Sequence, residues 1–217
     1  MGDQVSQGQA APEQPPFSLT SVDKWVLSQT DDEYQKHDWA ELKTIISAND
    51  LSVLKRKPSD LRRYMKWTAD TKAEYGTMTA YIVANLLPKS WGQPPFTPES
   101  DIPFANASDY KILLNDWPYG MEPDIKHLVV WTRTLIPTDP ATGDMTLQSR
   151  AVVADFVKRK FADTLGPGGE DQVLWFKNWV ALQSVRTLEH IHVLVRRVDD
   201  EMIQGWTGMR PEHMAAE

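Results

Sequence analysis

The chain has 217 residues, a formal net charge of −7, 41% apolar residues and no cysteine. That length fits one large domain or two small ones, and folding would bury roughly 70% of the surface of the unfolded chain. The lack of cysteine excludes disulfides, thiolate zinc sites, cysteine-held iron–sulfur clusters and a cysteine nucleophile. No apolar run approaches the roughly 20 residues of a membrane span, and the polar N-terminus is unlike a secretory signal. We therefore expect a cytoplasmic protein.

Composition along the chain predicts one folded domain between two flexible ends. Residues 1–16 are mostly Gln, Gly, Ala and Pro with almost no apolar bulk, which is typical of a disordered leader. We expect a single α+β domain over residues 17–207 and a flexible tail over residues 208–217.

The first half of the domain is predicted to be helical. Apolar side chains at helical spacing favour four helices, at residues 21–27, 38–48, 59–75 and 77–87. Ser21, Asp38 and Ser59 are the expected N-caps of the first three helices. Five prolines in residues 88–103 then predict a loop.

The second half of the domain is predicted to contain a sheet. Runs rich in β-branched and aromatic residues favour four strands, at residues 110–115, 127–133, 173–179 and 190–195. An amphipathic helix is expected over residues 146–165 and a short helix over residues 199–206. Together the elements predict an α+β fold in which a helical N-terminal half packs on a small, largely antiparallel sheet.

Two histidines on one predicted strand are the first candidates for chemistry. His190 and His192 are two residues apart, so their side chains point to the same face of the sheet, and Glu189 points to the other face. His127 lies on another predicted strand and is a candidate third imidazole. The three rings could share a ligand, a proton or a metal ion, or they could simply be hydrogen-bonded within the sheet.

Two aromatic segments carry further candidates. In the segment NDWPYG, Asp116 is a candidate cation-binding or proton-accepting group at the mouth of a cleft, or alternatively part of an Asx turn packed by aromatic rings. In the segment WFKNW, Lys177 is unusual for an aromatic strand. It is either a surface lysine with a buried stem or an electrophile at the edge of a site.

A basic segment interrupts the acidic chain. Residues 55–66 hold six basic side chains against one acidic side chain. The six are Lys55, Arg56, Lys57, Arg62, Arg63 and Lys66. Such a cluster is a plausible footprint for an RNA phosphate backbone, and the alternative is a solvated start of a helix.

The same segments resemble a fungal family. The resemblance rests on LKRKPSDLRRYMKWTADTKAEYGTMTAYI (54–82), LLNDWPYGMEPDIKHLVVWTR (113–133) and VLWFKNWVALQSVRTLEHIHVLV (173–195), and it covers nearly all of residues 20–198. The chain is similar in these segments to the N-acetylglucosamine-induced protein 1 family, long described as a domain of unknown function. Some fungal biosynthetic proteins that resemble this family are arginine-containing cyclodipeptide synthases, which use aminoacyl-tRNAs to make a diketopiperazine, a class of secondary metabolite.

This resemblance implies a transferase whose partners are arginyl-tRNA and a second aminoacyl-tRNA, without DNA, a membrane, a metal or another cofactor. The basic segment would hold the tRNA, Asp116 or Glu189 would pair with the arginine guanidinium, and a histidine would relay the proton of the attacking amine. The implied catalytic set is Asp116, Tyr119, His127, Glu189, His190 and His192. The implied substrate-binding set is Asn115, Trp117, Lys177, Asn178, Trp179 and Ser184. Tyr119 and Ser184 are the candidates for a covalent intermediate.

Two other functional classes stay open from the sequence. One is a non-catalytic ligand-binding or regulatory protein of the N-acetylglucosamine response, whose cleft would hold a sugar or a sugar phosphate. The other is a metal-dependent hydrolase that uses His127, His190 and His192 as ligands.

Overall fold

A four-stranded antiparallel sheet organises the protein, for which a computed structural model describes residues 15–183 and 185–208. The strands are β1 (Tyr110–Leu114), β2 (Ile125–Thr132), β3 (Val173–Phe176) and β4 (Glu189–Arg196). Their spatial order is β1-β2-β4-β3, so the two long strands are central and the two short strands are at the edges. The predicted α+β fold with an antiparallel sheet is confirmed. The expected leader lies mostly, and the expected tail almost wholly, outside the described residues.

Six α-helices surround this sheet in the described part of the chain. They are α1 (Ser21–Leu27), α2 (Trp39–Ser47), α3 (Pro58–Tyr75), α4 (Met78–Asn85), α5 (Leu147–Val157) and α6 (Asp200–Thr207). The chain also makes short 3₁₀ turns, for example Leu51–Val53 before α3 and Val180–Leu182 after β3. No helix among the described residues combines the length and the apolar character needed to cross a bilayer.

Two of the predicted N-caps are wrong. Thr20, rather than Ser21, caps α1, because the Thr20 hydroxyl accepts from the Asp23 backbone while the Asp23 carboxylate accepts from the Thr20 backbone. Ser59 lies inside α3, which begins at Pro58. The cap there comes from Asp31, whose carboxylate accepts from the Ser59 backbone at 2.9 Å and from its hydroxyl at 2.6 Å.

Two later elements are shorter than predicted. The helix expected over residues 146–165 is α-helical only to Val157 and continues as a π-helical turn (Lys158–Ala162) and a 3₁₀ turn (Asp163–Leu165). The strand expected over residues 173–179 ends at Phe176. Lys177 and Asn178 therefore belong to the loop that leads from β3 to β4.

Both faces of the sheet are covered. Ile191 and Val193 of β4 pack with Val153 and Phe156 of α5 and with α6. On the opposite face, Leu194 packs with residues of α2. Residues of α4 cover Val129 and Trp131 of β2 on that same face. The helical N-terminal half thus packs on one face as predicted, and α5 and α6 cover the other. The three candidate histidines lie on the face of the N-terminal helices.

Candidate functional site

A half-open cavity of about 150 Å³ lies between α3, α4 and the sheet. We call it the histidine pocket. Its walls are mostly apolar and include Met78, Ile82 and Leu86 of the α4 region, Leu113 and Val129 of the sheet, and Val185 of the β3–β4 loop. The polar groups that line it are Arg56, Asn115, Asp116, His190 and His192. A volume of this size accommodates part of a small ligand, such as an amino-acid side chain, rather than a whole nucleotide.

Three aromatic rings form one rim of the pocket. Tyr64 and Trp67 are three residues apart on α3, so they project from the same face of that helix. Trp117 approaches both rings, with ring centres 5.5 Å from Tyr64 and 5.2 Å from Trp67. Neither Tyr64 nor Trp67 is among the site residues that the sequence predicts. Their spacing places the two rings together but does not indicate which loop they meet.

The loop that follows β1 is tied to the N-terminal segment, and this fixes the rim. The Tyr34 hydroxyl lies 3.1 Å from the backbone oxygens of both Lys55 and Gly120, and the Gly120 N–H donates to the Lys55 oxygen at 2.8 Å. Within the loop, the Trp117 N–H donates to the side-chain oxygen of Asn115 at 3.0 Å. The predicted Asx-type turn is therefore present, and it places the neighbouring Asp116 at the pocket.

Arg56 is the one cationic side chain among the residues that line the pocket. Its guanidinium stacks 4.0 Å from the centre of the Tyr64 ring, and its Nε donates to the Trp117 oxygen at 3.2 Å. It makes no ion pair with a carboxylate of the described residues. Stacking and one backbone hydrogen bond leave the rest of the guanidinium fork available to an acceptor on a ligand.

Asp116 is the one carboxylate among the same lining residues. Its side chain is reached by solvent at the mouth of the pocket, and the protein that packs around the carboxyl raises its pKa. The structure gives it no hydrogen bond or ion pair within the described part of the chain. An unpaired carboxylate beside aromatic rings is suited to an ammonium or guanidinium group.

The three histidines converge as predicted from their strand positions. His127 Nε2 and His192 Nδ1 are 2.9 Å apart, and the rings of His190 and His192 are 5.3 Å apart at their centres. Asn115 and Asn178 extend this hydrogen-bonded pair at either end, at 3.3 and 3.4 Å. The Nδ2 groups of Asn115 and Asn178 are donors, so the outer ring nitrogens accept, and one ring nitrogen donates to the other at the central contact.

Burial keeps these histidines unprotonated at neutral pH. It lowers the pKa of His190 to about 4 and, with a smaller effect of Arg56, that of His127 to about 3. The pKa of His192 is lowered well below its usual value by burial and then by the neighbouring histidines. All three rings are therefore proton acceptors rather than cations near pH 7.

His190 differs from the other two because one contact fixes its tautomer. Its Nδ1 lies 2.9 Å from the backbone oxygen of Leu188, which only accepts hydrogen bonds, so Nδ1 carries the proton. Nε2 then bears the lone pair on a ring that lines the pocket. A backbone carbonyl thus orients His190 in the way a carboxylate often orients a catalytic histidine.

The structure does not bring the remaining candidates to the pocket. Glu189 points to the opposite face of β4 and lies 3.4 Å from the ammonium of Lys177, which is 4% exposed. Lys177 is buried, so the interpretation of it as a surface lysine is wrong, and it does not line the histidine pocket. Tyr119 stacks on His127 with ring centres 5.3 Å apart, and neither it nor Trp179 lines the pocket. Ser184 lies outside the described residues.

Most of the basic segment is engaged within the protein. Lys57 pairs with Asp31 at 3.1 Å, Arg63 lies 3.7 Å from Asp60, and Lys66 pairs with Asp70 at 2.7 Å. Arg62 donates to the Leu27 oxygen at the end of α1 at 2.9 Å. The Lys55 ammonium lies over the Trp25 and Tyr34 rings. A phosphate backbone would compete with these partners, all of which are accessible at the surface except Tyr34.

Metal ligation was a further possibility for the histidines. In residues 15–183 and 185–208, no group of three or more His, Asp or Glu side chains is arranged to hold a metal ion. The geometry accounts for this, since His127 and His192 direct ring nitrogens at each other and His190 directs one at a backbone oxygen.

Comparison with known proteins places the chain among fungal relatives. Residues 38–196 match the family described as "Protein of unknown function (DUF3605)". N-acetylglucosamine-induced protein 1 of Candida albicans is 30% identical over an alignment of 195 residues, and the match covers 78% of this chain and 74% of the relative. An uncharacterized protein of Saccharomyces cerevisiae is 27% identical over 174 residues, which cover 78% of this chain and 84% of that protein. The crystal structure of HTC1 superposes with a TM-score of 0.62 at 26% identity, covering 79% of this chain and 93% of that chain.

Proposed function

The chain belongs to the DUF3605 family of proteins of unknown function, and we propose that it is an aminoacyl-tRNA-dependent cyclodipeptide synthase that makes an arginine-containing cyclic dipeptide. One observation carries the proposal. A single apolar pocket presents an unpaired Arg56, an unpaired Asp116 and the lone pair of a neutral His190. An aminoacyl ester offers one group to each of these residues. Its cationic side chain or amine matches Asp116, its carbonyl oxygen matches Arg56, and the proton to be removed from the attacking amine matches His190.

The reaction needs positioning rather than activation, since the ester of aminoacyl-tRNA is already reactive. The α-amine of one aminoacyl group attacks the ester carbon of the other, a C–N bond forms, and the C–O bond to the tRNA ribose breaks. The proton lost by the amine ends on the departing ribose oxygen. A second attack of the same kind, by the remaining amine on the remaining ester, closes the cyclic dipeptide and releases the second tRNA.

Three polar groups of the pocket have a role in this scheme. Asp116 pairs with the guanidinium of the arginyl group, which replaces the earlier alternative of Glu189 because Glu189 is already paired with Lys177. Arg56 donates to the carbonyl oxygen on which negative charge develops. His190 accepts the proton of the attacking amine at Nε2 and returns it to the leaving oxygen. The low pKa of His190 ensures that the ring is unprotonated when the amine attacks.

The basic segment is the proposed contact for tRNA phosphates. Its side chains lie at the N-terminal end of α3, the helix that also supplies Tyr64 and Trp67 to the rim of the pocket. A tRNA bound there would have its acceptor end near the mouth. Because most of these cations exchange an internal partner for a phosphate, the gain per contact is smaller than for free cations.

Mass spectrometry of cells that express the protein tests the proposal. We expect an arginine-containing cyclic dipeptide that is absent from empty-vector cells. Asp116→Asn should lower its yield by about 30-fold, as expected for about 2 kcal/mol lost from one charged contact. Glu122→Gln is the matched control, because Glu122 is an exposed carboxylate of the same loop that does not line the pocket. A folded, soluble protein that yields no such product would contradict the proposal.

The second candidate function is a non-catalytic ligand-binding protein of the N-acetylglucosamine response. A polar cavity of about 430 Å³ beside α1 and α2 favours it, since the cavity combines an exposed Trp25 with hydrogen-bonding groups such as Gln29 and Lys55. Under this alternative, N-acetylglucosamine or its phosphates would raise the melting temperature and charged tRNA would not. The absence of any shift with these sugars would count against it.

A further inference from the structure

The loop between β3 and β4 forms one wall of the histidine pocket. Val185 of this loop lines the pocket and, together with the buried Leu188, packs against Val129 and Trp131 of β2. The loop begins at Lys177, directly after β3, and ends at Leu188, directly before β4. Its position therefore determines where the Leu188 carbonyl lies relative to His190.

An ion pair joins the beginning of this loop to the beginning of β4. The Lys177 ammonium lies 3.4 Å from the Glu189 carboxylate, and the two side chains are 3% and 25% exposed. Burial raises the pKa of Glu189, and Lys177 opposes that shift. Buried ion pairs contribute little net stability relative to apolar replacements, so this pair is better explained by what it fixes in place than by stability alone.

Leu188 connects the Lys177–Glu189 ion pair to the histidine pocket. Glu189 follows it directly, and the Leu188 oxygen accepts from Nδ1 of His190 at 2.9 Å. If the loop moved away, His190 would lose the acceptor that selects its tautomer. The proton could then move to Nε2, and the nitrogen that faces the ligand would no longer accept one.

We propose that Lys177 and Glu189 are positioning residues that hold the β3–β4 loop against the sheet, so that the Leu188 carbonyl keeps His190 protonated at Nδ1 and open at Nε2. The catalytic consequence rests on the proposed function, whereas the effect on the tautomer does not. Neither residue touches the ligand, and both act through His190.

Three variants separate positioning from stability. Lys177→Met leaves a partly buried carboxylate unpaired, and Glu189→Gln leaves a buried ammonium unpaired, so both should lower the melting temperature. The double variant Lys177→Met/Glu189→Gln removes both charges and should regain most of the lost stability. Arg159→Met is the control, because it removes an ion pair with Asp155 in which both side chains are exposed.

Nitrogen-15 NMR of histidine-labelled protein reads the tautomer directly, with the His190 signals identified by their absence in His190→Gln. We expect Nδ1–H alone in the wild type and in Arg159→Met, and a mixture of tautomers in the folded double variant. Its kcat should fall about tenfold while its KM stays unchanged, because one general base is partly disabled. A folded double variant whose His190 remains protonated only at Nδ1 would overturn the inference.

The two proposals fail separately. A tautomer shift in the double variant of a protein that makes no cyclic dipeptide would support the positioning role and contradict the synthase. A protein that makes the cyclic dipeptide but whose His190 tautomer is insensitive to the ion pair would support the synthase and contradict the positioning role.

Discussion

Mild acid should destabilise this protein well above the pH at which exposed carboxylates titrate. The fold buries His127, His190 and His192 as neutral rings, and unfolding exposes them to water. Between the unfolded pKa of about 6.5 and the lowered folded pKa values, the unfolded state binds more protons than the folded state. The contribution of these groups to the free energy of unfolding is therefore fully present above about pH 6.5, and it falls as the pH decreases through that window.

The size of the effect follows from the shift at His190. Its pKa falls from 6.5 to about 4, which corresponds to about 3 kcal/mol of stability lost by pH 4. The lower pKa of His127, about 3, extends the loss to more acidic solutions. Protonation of Glu189 and Asp116, whose pKa values are raised, offsets part of it. Because a domain is stable by only about 5–15 kcal/mol, the histidines should dominate acid unfolding.

Urea unfolding followed by tryptophan fluorescence at pH 8, 7, 6 and 5 measures this dependence. We expect little change between pH 8 and 7, and a loss of about 1 kcal/mol or more between pH 6 and 5. His190→Asn should reduce the slope between pH 6 and 5, because one group that titrates in that window is gone. A free energy of unfolding that is constant from pH 7 to 5, or that rises as the pH falls, would refute the reasoning.

Three further predictions concern the frame of the site and its surface. Asp109 is fully buried and accepts from two backbone N–H groups and from Arg133. Asp109→Ala should therefore lower the free energy of unfolding in urea by about 3–5 kcal/mol. A loss below about 1 kcal/mol would show that these contacts are dispensable. A Cβ on Gly120 would lie 2.3 Å from the Tyr34 hydroxyl. Gly120→Ala should therefore lower the free energy of unfolding by about 1–3 kcal/mol, and unchanged stability would mean that the Tyr34 ring moves freely. Arg63 is 65% exposed, so Arg63→Glu should weaken tRNA binding in a filter assay without changing the melting temperature, and unchanged affinity would remove it from the tRNA contact.

The sequence predicted those features that depend on local periodicity. The two-residue period of a strand placed His190 and His192 on one face, and antiparallel pairing of β2 with β4 brought His127 beside them. Helical spacing located α2, α3 and α4, with Asp38 as the cap of α2. The common face of His190 and His192 and the helices require only neighbours along the chain, whereas the approach of His127 requires the pairing of β2 with β4.

Features that depend on distant partners could not be predicted in this way. The cap of α3 comes from Asp31, which precedes Ser59 by 28 residues. The predicted strand continued to residue 179, but β3 ends at Phe176, directly before Lys177. Lys177 is therefore in the loop, where its buried ammonium lies beside Glu189. The aromatic rim required Trp117 to meet α3, and no spacing in the sequence encodes that contact. The sequence thus predicted part of the candidate site as a set of residues. Only the structure shows which of these residues line the histidine pocket and which support it from outside.

A reconstituted reaction tests the central claim most directly. Purified protein is mixed with tRNA that carries isotopically labelled arginine and with a mixture of the other aminoacyl-tRNAs, and the small molecules are separated by mass. We predict that the label passes into a cyclic dipeptide, that RNase treatment of the tRNA abolishes the product, and that Asp116→Asn forms far less of it. Label that remains on tRNA, or that appears only as free arginine at the rate seen without protein, would contradict the synthase.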